Sequence, residues 1–321
     1  MTPEVSVVIA ADTVATIRAT LRSLHAHGNR VRTELVVATL AGGSIDREDP
    51  DLAVFPLVHV VHGDDGIDVG RAEARAVTAA TAPYVIFAES CAFPRPGFVD
   101  AMAAACQSGA WDVIGPAVCN ANPASATSWA GMQINYGRWM GGSGGGVQPR
   151  LPGHNSAYRR DALNSLGVHL PDLMQSLTAV QDQIRARGGR LFLEPSASVA
   201  VLNISRPGWF LRDQFGKGRQ FARLRRRGWH VPRSVLYACG APLTPAVRLA
   251  RLLIGRERSV HLLDLTRGSR CIALIAGLVA SAAGEFVGYT TGGRAAMGFF
   301  ERNLHRLRYV RPGDRAGDQI P

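Results

Sequence analysis

Acidic residues stand at the ends of short apolar runs, and there the sequence first suggests chemistry. Asp12 follows the run Val5-Ser6-Val7-Val8-Ile9-Ala10, Asp64 and Asp65 follow Val58 to His62, and Glu89 follows Tyr84-Val85-Ile86-Phe87-Ala88. A carboxylate in such a loop can take a proton or hold a hard cation through oxygen. Cys91, close behind Glu89, is a poor ligand for a hard cation. No histidine or other basic residue lies beside it in the sequence to make its thiol a nucleophile. The five cysteines (Cys91, Cys106, Cys119, Cys239, Cys271) are odd in number and include no CxxC pair. That usage argues against a zinc site or a disulfide framework and fits a reducing, cytosolic compartment.

The elements that must position these residues alternate. Val5 to Ala10 is nearly continuous in apolar character, as expected of a strand covered on both faces. Thr16 to His27 repeats apolar residues at helical spacing, Glu34 to Ala38 and Val58 to His62 read as strands, Gly70 to Ala82 as an alanine-rich helix, and Tyr84 to Ala88 as a fourth strand. This order predicts an α/β fold with a mainly parallel sheet flanked by helices. Ligands of such sheets bind beyond the carboxyl ends of the strands, which singles out the loops after Ala10, Ala38, His62 and Ala88. Further on, a helix over Phe98 to Ser108 and a strand over Asp112 to Val118 are expected, then a helix over Thr178 to Arg187 and two strands, Arg190 to Glu194 and Ser198 to Leu202. The run Gly141-Gly142-Ser143-Gly144-Gly145-Gly146 follows no strand and opens no helix, so it is not a dinucleotide fingerprint; it reads either as a mobile loop over the site or as a flexible connector. No apolar leader of signal-peptide type is expected at the N-terminus.

Charge is unevenly placed. Lys+Arg 36 against Asp+Glu 25 gives +11, and the excess favours phosphate-bearing partners. Residues Arg206 to Arg233 hold nine basic side chains against one acid, Asp213. No nucleic-acid module accompanies them, so no nucleic-acid partner is expected. Arg248 to Arg256 repeats the basic–apolar theme at amphipathic spacing, and Cys271 to Gly284 is uncharged for fourteen residues, short of the ~18–20 that a spanning helix needs. A boundary is placed near Val235, giving a domain over 1–235 and a basic, apolar helical tail over 236–321. The tail reads as an interfacial or re-entrant hairpin on an anionic membrane surface, or else as a helical dimer interface.

Five segments, in order, resemble family 2 glycosyltransferases of the GT-A fold. They are Val5 to Ile9 with Leu21-Arg22-Ser23-Leu24; Glu34 to Ala38; Gly66 to Ala74 leading to Tyr84 to Phe98; Gly153-His154-Asn155-Ser156-Ala157-Tyr158-Arg159-Arg160; and Gly188-Gly189-Arg190-Leu191. The resemblance covers roughly the first 230 residues. It implies a nucleoside-diphosphate-sugar donor, a glycan or lipid-linked acceptor, and inversion of the anomeric centre at the cytoplasmic membrane face. The alternative it leaves is a catalytically inactive nucleotide-sugar-binding or scaffold relative.

The resemblance also assigns places to residues. Where the family holds Mg²⁺ or Mn²⁺ through Asp-x-Asp, this chain has Glu89-Ser90-Cys91, so Glu89 is the expected metal and donor contact, and Cys91 departs from the pattern. Asp12, Asp64 and Asp65 stand near the expected nucleotide pocket; Asp12 either reaches base or ribose or, with Thr13, caps the next helix. Arg71 lies where the family places an arginine near the diphosphate, although it also suits a surface helix. Asn155 belongs to the same donor-side set. The base expected near Leu177 is absent as Glu-Asp, leaving Asp172, Asp182 and His154 as candidates. Asp182 can equally pair with Arg185 or Arg187 on a solvated face.

Overall fold

A computed structural model describes residues 2–26, 32–40, 43–62, 69–141, 144–254, 267–291 and 303–314. The strands are β1 (Val5–Ala11), β2 (Thr33–Thr39), β3 (Leu57–Val61), β4 (Tyr84–Ala88), β5 (Ala92–Pro94), β6 (Val113–Asn120), β7 (Gly146–Val147), β8 (Ala157–Arg159) and β9 (Leu191–Val201). The helices are α1 (Val14–His25), α2 (Pro50–Ala53), α3 (Val69–Ala79), α4 (Phe98–Gln107), α5 (Ala126–Tyr136), α6 (Arg160–Asn164), α7 (Leu170–Leu173), α8 (Leu177–Ala186), α9 (Pro207–Arg225), α10 (Val231–Gly240), α11 (Thr244–Leu253) and α12 (Gly268–Thr291). The described residues form two compact units, one within 1–119 and 141–201, the other within 120–140 and 202–314. Val235 lies within α10 of the second.

In the first unit, β1 is buried throughout and pairs in parallel with both β2 and β4, with Val5 opposite Thr33 and Tyr84. Its apolar side chains on both faces explain why the sequence reads as an unbroken run. The sheet order is β3-β2-β1-β4-β8-β6-β9-β5, with β7 added on β9. Strands β3, β2, β1 and β4 are parallel, and β8 then joins β4 antiparallel, Ile86 opposite Ala157. That pairing lays the Gly153–Ser156 loop across the carboxyl end of β4.

Three local outcomes differ from the sequence reading. The two strands expected around Pro195 are one, β9. Pro195 falls between Phe192 and Leu193, which pair with β7, and Val199 to Val201, which pair with β5, so its missing N–H costs no ladder bond to either. The glycine run ends in a strand: Gly146, at φ 126°, pairs with Leu193. The uncharged stretch from Cys271 sits within a longer helix, the 24-residue α12.

At the amino ends of the parallel strands a carboxylate is fully buried. Glu34 accepts from Ser6 Oγ, from the Thr81 N–H (2.8 Å) and from Thr81 Oγ1 (3.0 Å), and His59 Nε2 lies 3.2 Å away. Removing it leaves the buried Ser6 hydroxyl without its acceptor and strips the Thr81 donors of theirs. Glu34→Ala is expected to cost about 3 kcal/mol, read as a lowered urea midpoint at unchanged slope; an unaltered midpoint refutes this role.

In the second unit α12 lies against α9 through small residues. A Cβ on Gly218 would overlap the Ser281 carbonyl, one on Gly284 the Phe215 carbonyl, and one on Gly288 would lie 2.6 Å from the Arg219 carbonyl oxygen. Glu285 is buried on the same helix, and Arg248 Nη2 meets its Oε1 at 2.5 Å while Nη1 donates to Ser281 Oγ at 2.9 Å. Burial pushes the Glu285 carboxyl up, opposed by Arg248. The acid that the sequence sets in an apolar zone is thus paired inside the protein.

Candidate active site

The turn after β4 is fixed by hydroxyls of α1. Thr20 Oγ1 donates to the carbonyls of Glu89 (3.0 Å) and Ala92 (3.1 Å), and Ser23 Oγ to that of Pro94 (2.6 Å). Ser90 and Cys91 are buried by this turn, while the Glu89 side chain keeps 18% exposure. Asn155 meets Glu89 from the loop that leads into β8. Its N–H donates to the Phe87 carbonyl at 2.5 Å and its Nδ2 to Glu89 Oε2 at 3.2 Å. Asn155 has φ 63°, the one positive φ outside glycine among the described residues. Such strain is kept where surrounding bonds over-determine it.

The loop before Asn155 is equally tied down. Gln181, buried in α8, accepts from the Leu151 N–H (3.0 Å) and donates to the carbonyls of Leu151 (3.3 Å) and Pro152 (3.2 Å) and to Tyr158 Oη (2.9 Å). Tyr158 in turn donates to the Gly153 carbonyl at 2.8 Å, and burial pushes its phenol well up. A Cβ on Gly153 would stand 3.0 Å from the Leu177 side chain, so the loop abuts the first residue of α8.

His154 is carried on that loop between two carboxylates. Its Nε2 lies 3.0 Å from Glu73 Oε1 and its Nδ1 lies 3.6 Å from Glu89 Oε1. Glu73, in α3, is 2% exposed, whereas the His154 side chain is 32% exposed. With a carboxylate accepting at Nε2, the proton of a neutral ring sits on Nε2, which leaves Nδ1 as the acceptor nitrogen on the Glu89 side. The Nδ1–Oε1 separation of 3.6 Å is too long for a hydrogen bond.

The structure thus brings His154, Asn155 and Glu89 together and adds Glu73, which the sequence reading did not single out. Its signal was a charge on the apolar stripe of α3, three and four residues before buried Ala76 and Val77. Asp12 Oδ1 accepts from the Thr13 N–H (2.8 Å) and from Thr16 Oγ1, which ties down the start of α1. Arg71 and Asp172 are both exposed and 3.5 Å apart. Asp182 pairs at 2.9 Å with Arg150, not with Arg185 or Arg187. Asp64 and Asp65 lie outside the described residues.

The residues do not fit a two-carboxylate clasp for a divalent cation. Cys91, two residues after Glu89, is buried and a poor ligand for a hard cation, and the Glu89 oxygens face His154 and Asn155. Among the described residues no group of three or more His, Cys, Asp or Glu side chains is arranged to hold a metal ion.

A GT-A mannosyltransferase, PcManGT from Pyrobaculum calidifontis, solved with GDP-Man and Mn²⁺, superposes with a TM-score of 0.54 over 89% of this chain and 87% of its own, at 17% identity. The fold is GT-A. Two other solved structures match with lower TM-scores. TarS residues 1–349 from S. aureus, solved with UDP, gives 0.48 at 14% identity over 90% of each chain. GalNAc-T7, solved with UDP, GalNAc and Mn²⁺, gives 0.48 at 14% identity, over 63% of this chain and 43% of its own length. No family model matches the sequence, and no curated protein matches it either. At 17% identity the likeness to PcManGT establishes the fold and no more. On that fold Glu89 stands at the carboxyl end of β4, in the loop where a parallel sheet binds its ligand.

Proposed function

We propose that the chain is an inverting glycosyltransferase of the family 2 type, taking a sugar from a nucleoside-diphosphate donor to a glycan or lipid-linked acceptor. The observation that carries this is the pairing of Glu89 with His154 at the carboxyl end of β4 on a GT-A sheet. In a single displacement the acceptor hydroxyl gives its proton to His154 Nδ1 as its oxygen bonds to the anomeric carbon. The anomeric carbon–oxygen bond to the diphosphate breaks, and the nucleoside diphosphate leaves with the electron pair. Glu89 and Asn155 hold sugar hydroxyls beside that carbon, and Arg71 offers its planar fork to the leaving diphosphate. No step is routed through a metal, since the donor set does not fit one.

Transfer and hydrolysis of UDP-, GDP- and TDP-sugars, with and without Mn²⁺, test the reading beside Glu89→Ala. Turnover with one donor, lost in Glu89→Ala, is the expected result. Nucleotide binding without turnover of any donor would instead mark a binding or scaffold protein.

The second unit supports action at an anionic membrane surface. Ile272, Ile275, Val279 and Phe286 are exposed along one face of α12, which is long and apolar enough to cross a membrane and is half buried in the protein. The arginine excess between Arg206 and Arg233 supplies charge for lipid headgroups. Co-sedimentation with anionic liposomes at low salt, weakening as salt is raised, is the expected outcome. A protein that stays in the supernatant at every salt concentration is not a membrane protein of this kind.

A further inference from the structure

We propose that Glu73 and His154 act as a carboxylate–imidazole dyad, with Glu73 the positioning residue of the base; this rests on the transferase reading above. Glu73 is a charge held at 2% exposure on the apolar stripe of α3. Such burial is costly unless the charge is partnered, and the partner is His154 Nε2 at 3.0 Å. Three consequences follow from that one bond. It fixes which ring nitrogen carries the proton, because a carboxylate accepts and cannot donate. It sets the ring plane, so that Nδ1 is directed toward Glu89. It also supplies negative charge behind the ring when Nδ1 takes the acceptor's proton and the imidazole becomes a cation. The proton enters at Nδ1, the Nε2 proton stays in its bond to Glu73, and Glu73 remains ionised throughout.

The surroundings show why the geometry holds. Gly70, one turn before Glu73, is seated so closely on α7 that a Cβ there would lie 2.7 Å from the Met174 carbonyl carbon. The His154 loop is fastened independently by Gln181 and Tyr158. Both halves of the dyad therefore stand on fixed backbone.

The test is Glu73→Gln, which keeps the shape, with Glu73→Asp as the conservative variant. Two readouts are taken: transfer kinetics, and the ring-nitrogen tautomer of His154 by long-range ¹H–¹⁵N correlation at fixed pH. The wild-type ring is expected as the Nε2–H tautomer. In Glu73→Gln this tautomer should lose its dominance and kcat should fall about 10²-fold or more, with donor KM within a factor of two or so. Glu73→Asp should recover part of kcat. An unchanged tautomer, or an unchanged kcat beside an altered tautomer, overturns the dyad while leaving the transferase reading intact. A wild-type protein that shows the Nε2–H tautomer but turns over no donor overturns the transferase reading, and with it the base role, by a separate result. Should Glu73→Gln fail to fold, Glu73→Asp carries the same two readouts.

Discussion

His154→Ala is expected to lower sugar transfer by about 10²- to 10⁴-fold, the usual range for loss of a positioned base, with nucleotide affinity nearly unchanged. The imidazole is the one candidate base whose reacting nitrogen faces Glu89, at 3.6 Å, and whose other nitrogen is held by a buried carboxylate. The nucleotide, by contrast, is expected over the loops after β1 and β4; Thr16 holds the Asp12 side chain, Thr20 and Ser23 hold the backbone after β4, and none of these bonds depends on the ring. The effect should therefore appear in kcat and not in binding, as expected for an interaction made at the transition state. Asp182→Asn is the matching control: its carboxylate is exposed and turned to Arg150, and an exposed pair of this type contributes little. Steady-state kinetics with isothermal titration of the nucleoside diphosphate decide the matter. Full activity in His154→Ala, or a comparable loss in Asp182→Asn, would move the base elsewhere.

Gly218→Ala and Gly284→Ala should each destabilise the second unit by about 3 kcal/mol, the upper end of what overpacking costs. A single methyl is small, but at both positions it would strike a backbone carbonyl of the facing helix, of Ser281 and of Phe215. A side chain can rotate away; a carbonyl cannot move without parting α9 from α12. Relief therefore means shifting the whole crossing, including Phe210 against Gly277 and the Arg248–Glu285 pair. Gly208→Ala, in the same α9, meets nothing within 4 Å and should be neutral or gain up to about 1 kcal/mol from helix propensity. Tryptophan fluorescence under guanidinium reads this unit preferentially, because Trp129, Trp139, Trp209 and Trp229 lie in it and only Trp111 outside. Equal midpoints for Gly208→Ala and Gly218→Ala would show that the close crossing is not what holds the unit.

The sequence by itself determined the α/β frame and the place of Glu89. Both rest on local pattern: continuous apolar runs mark strands buried on two faces, and the first polar residue after such a run must sit at the strand's end. What the sequence left open was the identity of partners. Glu73 and His154 are 81 residues apart, and Glu34 and Thr81 are 47 apart. A charge on a buried helical stripe announces that something must neutralise it, but which group does so is decided by strand order. Here β8 inserts antiparallel beside β4 and carries the His154 loop across to α3 and Glu89. Likewise the glycines of α9 and α12 read locally as weak helix formers, and only the crossing of the two helices turns them into contacts that no larger residue can make. Periodicity is a property of the segment and is written in it. Pairing between distant segments is a property of topology, fixed only when the whole chain has packed.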